Sequence, residues 1–351
     1  MSGGVDSSAT AALLLEQGYD VVGITLKLWP QDCVSRAEDK CCGPQAVTDA
    51  RAVCHKLGVP YYLIDESAEF QTRVIQYFAD EYKAGRTPNP CVMCNQNLKF
   101  GRLIDRADQL GAEFIATGHF ARVERGSDGG RTLLKRGCDR RKDQSYFLFS
   151  LRQDQLARAM FPLGEKTKDD TREVARHCQL KTAEKEESME ICFVPDNNYG
   201  RFLEQSKLVE KHRGEIVTPQ GQVLGHHDGI EFYTVGQRKG LGISSAKPLY
   251  VLELDPEANR VIVGDDASSL ERDEFIAERC NWIPFERLAG EVEASVKIRY
   301  NHPGALATVT ALEGGRVRVK FHSPQRAITP GQAAVFYRDD LVLGGGWIAR
   351  R

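Results

Sequence analysis

No uninterrupted apolar run in these 351 residues is long enough to span a bilayer, and no charged segment followed by an apolar one opens the chain as an export signal would. The expectation is a cytoplasmic protein with no membrane partner. An excess of one charge is missing too: 47 Lys and Arg against 49 Asp and Glu leave a net charge of −2. Any nucleic-acid binding must therefore come from local basic patches. Internal repeats and low-complexity segments are absent, which argues against solenoids and disordered tails. With 41% apolar and 27% charged residues, the composition is that of an ordinary globular chain. At roughly 100 to 200 residues per domain, the length suggests two or three domains. The ten cysteines, without an export signal, point to thiols, metal sites or redox chemistry more than to a disulfide framework.

The chain opens "MSGGVDSSAT", a glycine loop running into an apolar helical pattern at Ala11, Leu14 and Leu15. Gly3 and Gly4 can take positive φ and lack a Cβ, so successive backbone N–H groups can converge on one point. The first helical turn adds uncompensated donors and the positive end of a dipole. This is a phosphate cradle in outline. The bland alternative is that Asp6 or Ser7 caps a helix after a glycine turn. A Walker loop is excluded, because no Gly-Lys-Ser/Thr follows.

The first 120 residues alternate strand and helix. "DVVGITLKL", "PYYLID" and "EFIATGHF" read as strands, while "PQAVTDARAVCHKLG", "SAEFQTRVIQYFADEYKAG" and "NLKFGRLIDRADQLG" read as helices. This βαβ rhythm predicts a doubly wound parallel sheet, with ligands beyond the carboxyl ends of its strands. In such folds the phosphate loop follows a first strand, and no residues precede this loop to make one. Either the start has been trimmed or misassigned, which is the favoured reading, or the sheet lacks a strand where the loop is anchored. The expectation is weak nucleotide binding by the chain as it stands, with ATP affinity raised by restoring an upstream apolar strand. Residues 150 to 205 read as mainly helical, with "TKDDTREVARHCQL" starting at a Thr167 cap. Beyond them lie short β runs, "GEIVTPQGQVLG", "LYVLELD" and "NRVIVG", then longer alternating ones, "EVEASVKIRYN", "ALATVTALEGGRVRVKF" and "QAAVFYRDDLVLGGGWIA". The predicted domains are 1–205 for the α/β sheet, 206–275 for a small β-rich domain and 276–351 for a C-terminal β-barrel.

"TPNPCVMCNQ" places Cys91 and Cys94 in a proline-punctuated loop before a helix, and "SMEICFVPD" places Cys192 in a strand-like run. A thiolate at a helix N-terminus has a lowered pKa, which on local grounds favours Cys94 as a nucleophile. A lone Cys-x-x-Cys is equally read as a redox pair, half a zinc site or coincidence. Cys41-Cys42 would chelate a tetrahedral ion poorly, Cys33 has no assignment, and buried packing is the default for Cys54, Cys138, Cys178 and Cys280.

SGGVDSS resembles the pyrophosphate loop of ATP pyrophosphatases, which cleave ATP between the α and β phosphates. Taken with "GRTPNPCVMCNQNLKF", "ATGHFARV", "RKDQSYFL", "ICFVPD", "TVGQRKGLGI" and "PGQAAVFY", in order from residue 2 to the C-terminus, the chain resembles the bacterial and organellar tRNA-specific 2-thiouridylases. That resemblance implies ATP-dependent 2-thiolation of the wobble uridine in tRNAs for glutamate, glutamine and lysine. ATP would adenylate the C2 oxygen, since a urea-like carbonyl needs a better leaving group before sulfur can displace it. It further implies that Cys192 carries a persulfide and that Cys94 acts as nucleophile, on the substrate or on the persulfide, the latter leaving a Cys94–Cys192 disulfide. ATP contacts would come from Ser2, Gly3, Gly4, Val5, Asp6, Ser7, Ser8, Leu26 and Gly118, with Asp6 helping to hold Mg2+. Asn89, Pro90 and Cys91 would meet the target base. His119, Lys142, Asp143, Gln144, Arg299, Tyr300 and Gln332 would meet tRNA. Without the resemblance, His119 reads as a satisfied histidine at a strand end and the Arg140–Lys142 run as a solvated loop.

A wobble base lies in a single-stranded loop and can be extruded into a pocket cheaply. Basic clusters at Arg136–Lys142, Arg238-Lys239, Lys297–Arg299 and Arg316–Lys320 suit phosphates. "EKEESMEICFVPDNNYG" reads as a lid that orders with tRNA. The implied partners also include a sulfur-donor protein, a cysteine desulfurase or sulfur carrier, and the implied state is a monomer. In this sequence Cys91 stands where some members of the family carry aspartate. Three thiols, Cys91, Cys94 and Cys192, could then hold a [4Fe–4S] cluster instead of relaying a persulfide. An amidating synthetase of the same superfamily is a further alternative, although no glutaminase domain is found. So is an RNA-binding module with a decayed nucleotide loop.

Overall fold

The computed structural model describes residues 1–28, 43–186, 191–194, 196 and 198–350, with Asp128 described by its backbone alone. Cys33, Cys41 and Cys42 lie outside the described residues, as does part of the segment read as a lid. The chain divides into two compact units: 1–74 with 91–197 and 340–342, and 75–90 with 198–339 and 343–351.

In the first unit, helix Val5–Glu16 starts from Gly4 and is buried almost throughout. One of its sides packs Ala9 and Leu13 on Phe120 and Leu163. Val5 meets Val53 of helix Pro44–Leu57, and Ala175 of helix Lys168–His177, in a second apolar cluster. Helix Pro44–Leu57 has Pro44 in its first turn and ends on Gly58 at φ 72°, the left-handed cap its sequence predicts. Strands Gly23–Lys27 and Tyr61–Asp65 pair in parallel, Gly23 opposite Tyr61 and Lys27 opposite Asp65. Strands Ile115–Ala116 and Ala159–Met160 form a second parallel pair. Among the described residues these are separate two-stranded sheets, not one continuous sheet. The Met1 amino group donates to the carbonyl of Ile24, and Thr25 Oγ1 donates to Met1 O at 2.7 Å, so the first residue runs beside strand Gly23–Lys27.

Three features depart from the sequence reading. Strands Ala121–Glu124 and Leu133–Arg136 form an antiparallel hairpin between the last predicted strand and the predicted helical region. That region itself contains strand Ala159–Met160. Finally, Ile191–Val194 is a turn closed by Val194 N–H to Ile191 O at 2.9 Å, so Cys192 is not in a strand.

The second unit holds a four-stranded sheet ordered Val223–His227, Gly214–Val217, Arg260–Gly264, Tyr250–Asp255, around Ile216, Val251, Val261 and Val263. A closed barrel follows, running Glu271–Trp282, Val317–Arg326, Ala305–Ala311, Glu291–Lys297, Ala333–Arg338 and Leu341–Ile348. Antiparallel pairing of Ala277 with Ile348 and of Trp282 with Gly344 closes it. No helix among the described residues is long and apolar enough to cross a membrane.

Candidate active site

The opening loop is shaped by its glycines. Gly3 sits at φ 67°, and a Cβ there would lie 2.3 Å from the carbonyl oxygen of Ala46. Gly4 is the N-cap residue, and no side chain caps the helix that follows. The hydroxyls that could have done so turn elsewhere: Ser7 and Ser8 both donate to Gly4 O, at 3.2 and 2.8 Å. Ser2 donates to Ser7 Oγ through its backbone N–H, at 3.1 Å, and through its own hydroxyl, at 3.2 Å. The plain capping role for Asp6 or Ser7 is therefore not what the fold adopts. Gly118 closes the other side, because a Cβ on it would come within 2.9 Å of the backbone carbon of Asp6. A glycine-only cap at a dipole's positive end, walled by a second glycine, leaves backbone donors for an anion. Leu26 is half-buried in strand Gly23–Lys27, opposite Ile64.

Two lysines that sequence reasoning missed reach this loop. Lys168 Nζ lies 2.6 Å from Asp6 Oδ1 with its side chain 10% exposed, and Lys185 Nζ donates to Gly3 O at 3.1 Å and to Asp49 Oδ2 at 2.6 Å. Burial pushes the Asp49 carboxyl up, but hydrogen bonds from Lys185 and Gln45 and the Lys185 charge leave it below the usual carboxylate value. No local signal marks either lysine, since each is brought to the loop from more than 160 residues away by tertiary packing.

The cysteines are placed differently from the sequence expectation. The helix begins at Pro90, which suits a first helical position, and runs Pro90–Cys94 into a π-helical stretch, Asn95–Arg102. Cys91 thus occupies the first turn and Cys94 lies beyond it, where the dipole has less effect. The helix dipole therefore acts more on Cys91 than on Cys94, and any activation of Cys94 has to come from other neighbours. Cys192 is half-buried, while Phe193 and Val194 beside it are buried and Phe193 meets Phe70 edge-on at 5.8 Å. Cys91, Cys94 and Cys192 are all thiols, so the expected Cys94–Cys192 disulfide, a product of turnover, is not part of this fold. Nor are the three gathered as a cluster-binding set: among the described residues no group of three or more His, Cys, Asp or Glu is arranged to hold a metal ion.

The chain matches three family models in succession: a tRNA methyl transferase HUP domain over residues 1–196, a tRNA methyl transferase PRC-barrel domain over 201–265, and an aminomethyltransferase beta-barrel domain over 272–348. It is 51% identical to the tRNA-specific 2-thiouridylase MnmA of Heliobacterium modesticaldum, over all of this chain and 91% of that protein. Identity to the protein of the same name from Geobacter metallireducens is 52%, over 99% of this chain and 95% of that one. For Carboxydothermus hydrogenoformans it is 50%, over 100% and 96%. The chain belongs to the tRNA-specific 2-thiouridylase family.

The residues expected to meet the target base and tRNA are placed as follows. Asn89 is 8% exposed, and its buried amide nitrogen has no hydrogen-bond partner. Pro90 is buried and Cys91 half-buried. His119 is buried, with Nδ1 2.7 Å from Thr117 Oγ1 and its ring against Phe100 and Phe161; burial holds its pKa well below the histidine norm. Asp143 is buried and accepts from the backbone N–H groups of Gly137 and Ser145, while Gln144 Oε1 accepts from Phe120 N–H. Asp143 thus binds its own loop and Gln144 the residue ahead of strand Ala121–Glu124, and half-buried Lys142 follows the same turn. In the second unit Arg299 is exposed, Tyr300 lies under the Lys297 ammonium at 5.5 Å, and Gln332 donates to the carbonyls of Thr87 and Pro88.

Proposed function

We propose that this 2-thiouridylase family member is an ATP-dependent sulfurtransferase that replaces the C2 oxygen of the wobble uridine in tRNA with sulfur. The observation that carries the reading is the glycine-capped start of helix Val5–Glu16, walled by Gly118 and provided with no side-chain cap. That geometry suits the phosphates of ATP. Ser2 to Ser8 would hold them, with Leu26 and Gly118 beside the rest of the nucleotide. The carboxylate of Asp6, in the first turn, is a hard oxygen donor of the kind magnesium takes, and the ion would neutralise phosphate charge there.

Asn89, Pro90 and Cys91 would meet the uracil. The unpartnered amide of Asn89 supports this, because a buried donor without an acceptor is costly unless a ligand completes it. Transfer of the adenylyl group to the C2 oxygen releases pyrophosphate. A persulfide on Cys192, supplied by a sulfur-donor protein, then provides the sulfur, and Cys94 acts as nucleophile. If Cys94 attacks the persulfide, hydrosulfide leaves, displaces AMP from the base, and a Cys94–Cys192 disulfide remains for reduction. The substrates would be the tRNAs for glutamate, glutamine and lysine, held by residues including Lys142, Arg299 and Tyr300. We assign activation to residues 1–205, with Lys142 there also meeting tRNA, and a tRNA-binding role to the C-terminal β-barrel, 276–351, with 206–275 a small β-rich domain between them.

Cys94→Ser and Cys192→Ser are each expected to abolish 2-thiouridine, measured by mass spectrometry of digested tRNA, with tRNA binding nearly intact. Normal thiolation by either variant would refute the relay.

A further inference from the structure

The two lysines at the opening loop are more than its surroundings. Lys168 is the first residue of helix Lys168–His177, and its backbone N–H is tied to Asp139 Oδ2 at 3.2 Å. Its ammonium lies 5.6 Å from the centre of the Phe120 ring and bonds Asp6. Lys185 reaches the loop from a segment held by Arg172, which donates to the carbonyls of Ala183 and Lys185 at 2.5 and 3.3 Å. In the structure each ammonium is matched by a carboxylate, Lys168 by Asp6 and Lys185 by Asp49.

Holding the Lys168 ammonium out of water costs desolvation, so its placement at a loop whose helix has no side-chain cap calls for a role beyond stability. Phosphate supplies one. A triphosphate entering the loop brings dense negative charge against Asp6, and the repulsion is relieved if Lys168 turns to the phosphate while Asp6 takes a divalent cation. Lys185 acts through the backbone. A trans peptide sets C=O and N–H on opposite sides, so fixing Gly3 O on Lys185 aims the Gly4 N–H the other way.

Resting on the ATP reading above, we propose that Lys168 binds the β,γ-phosphates of ATP by exchanging Asp6 for phosphate, and that Lys185 is a positioning residue that aims the Gly4 N–H into the cradle. The test is equilibrium binding of ATP, pyrophosphate and adenosine to the full chain with magnesium present, alongside the melting temperature of each variant without ligand. Lys168→Met is expected to weaken ATP and pyrophosphate by roughly tenfold to a hundredfold while adenosine binding stays unchanged. Lys185→Met is expected to weaken the same two ligands less, and Lys185→Arg to restore most of the loss. If Lys168→Met does not fold, Lys168→Gln, which keeps a donor for Asp6, carries the same comparison. A lowered melting temperature with an unchanged ratio of ATP to adenosine affinity would make Lys168 a structural ion pair and overturn its assignment. Failure of Lys185→Arg to restore binding would overturn that of Lys185. A wild-type chain that binds ATP no more tightly than adenosine overturns the cradle itself, and the lysine roles with it.

Discussion

Gly3 carries the tightest constraint on the opening loop. Its φ of 67° disfavours any side chain, and an added methyl would run into the Ala46 carbonyl. Gly3→Ala is expected to cost about 1–3 kcal/mol of stability and to reduce ATP affinity, measured by thermal unfolding and nucleotide titration. Thiols give a second check. Cys54 is fully buried with its pKa raised by burial, and burial pushes Cys280 up to about 12. Iodoacetamide labelling of native protein, followed by peptide mass spectrometry, should modify half-buried Cys91, Cys94 and Cys192 well before either. At this scale the glycines were readable because their chemistry is local. Lys168 and Lys185 were not, because each finds its carboxylate partner more than 130 residues away along the chain. The helix start was misjudged because Pro90 reads as a loop breaker when it in fact begins the helix.

Among the elements, helix Lys168–His177 has a complete capping box: Thr167 accepts from Asp170 N–H at 3.1 Å, and Asp170 accepts from Thr167 N–H at 2.8 Å. Thr167→Ala is expected to destabilise the protein by about 1 kcal/mol, seen as a lower urea midpoint at unchanged slope. The same change should loosen the base from which Lys168 reaches Asp6. This helix was legible, cap included, as was helix Pro44–Leu57 from its proline and glycine. The β-barrel strands announced themselves through alternation, except for Glu271–Trp282. Its opening residues, Glu271 to Glu274, are all charged and carry no apolar signal until Phe275. The hairpin of Ala121–Glu124 and Leu133–Arg136 was hidden in the same way by arginines and by a glycine-rich connection. No apolar period foretold the π-helical turns, where Phe100 leaves helical geometry at φ −119° and ψ 17°.

Taken whole, the molecule stores three buried histidines that resist protonation. Burial holds His119 well below the ordinary 6.5 and also lowers His227 and His302. The unfolded chain takes up protons near pH 6.5 that these folded sites refuse. Their stabilisation is therefore complete above pH 6.5 and declines as the pH falls below it. Urea unfolding should give a lower midpoint at pH 5.5 than at pH 7.5, and His119→Asn should flatten part of that slope. A flat profile would mean that the rings open to water at little cost.

The anchoring of Thr87 and Pro88 by Gln332 bears on how the chain is made. Thr87 N–H bonds the carbonyl of Pro330, and the Gln332 amide holds the two carbonyls just before Asn89 and Pro90, across a separation of 245 residues for Thr87. On the ribosome, this segment must wait for residues about 245 positions further along to emerge before these bonds can form. A message that ends early, or a protease that trims the final strands, would leave the run leading into the cysteines untethered even with every residue of the opening loop present.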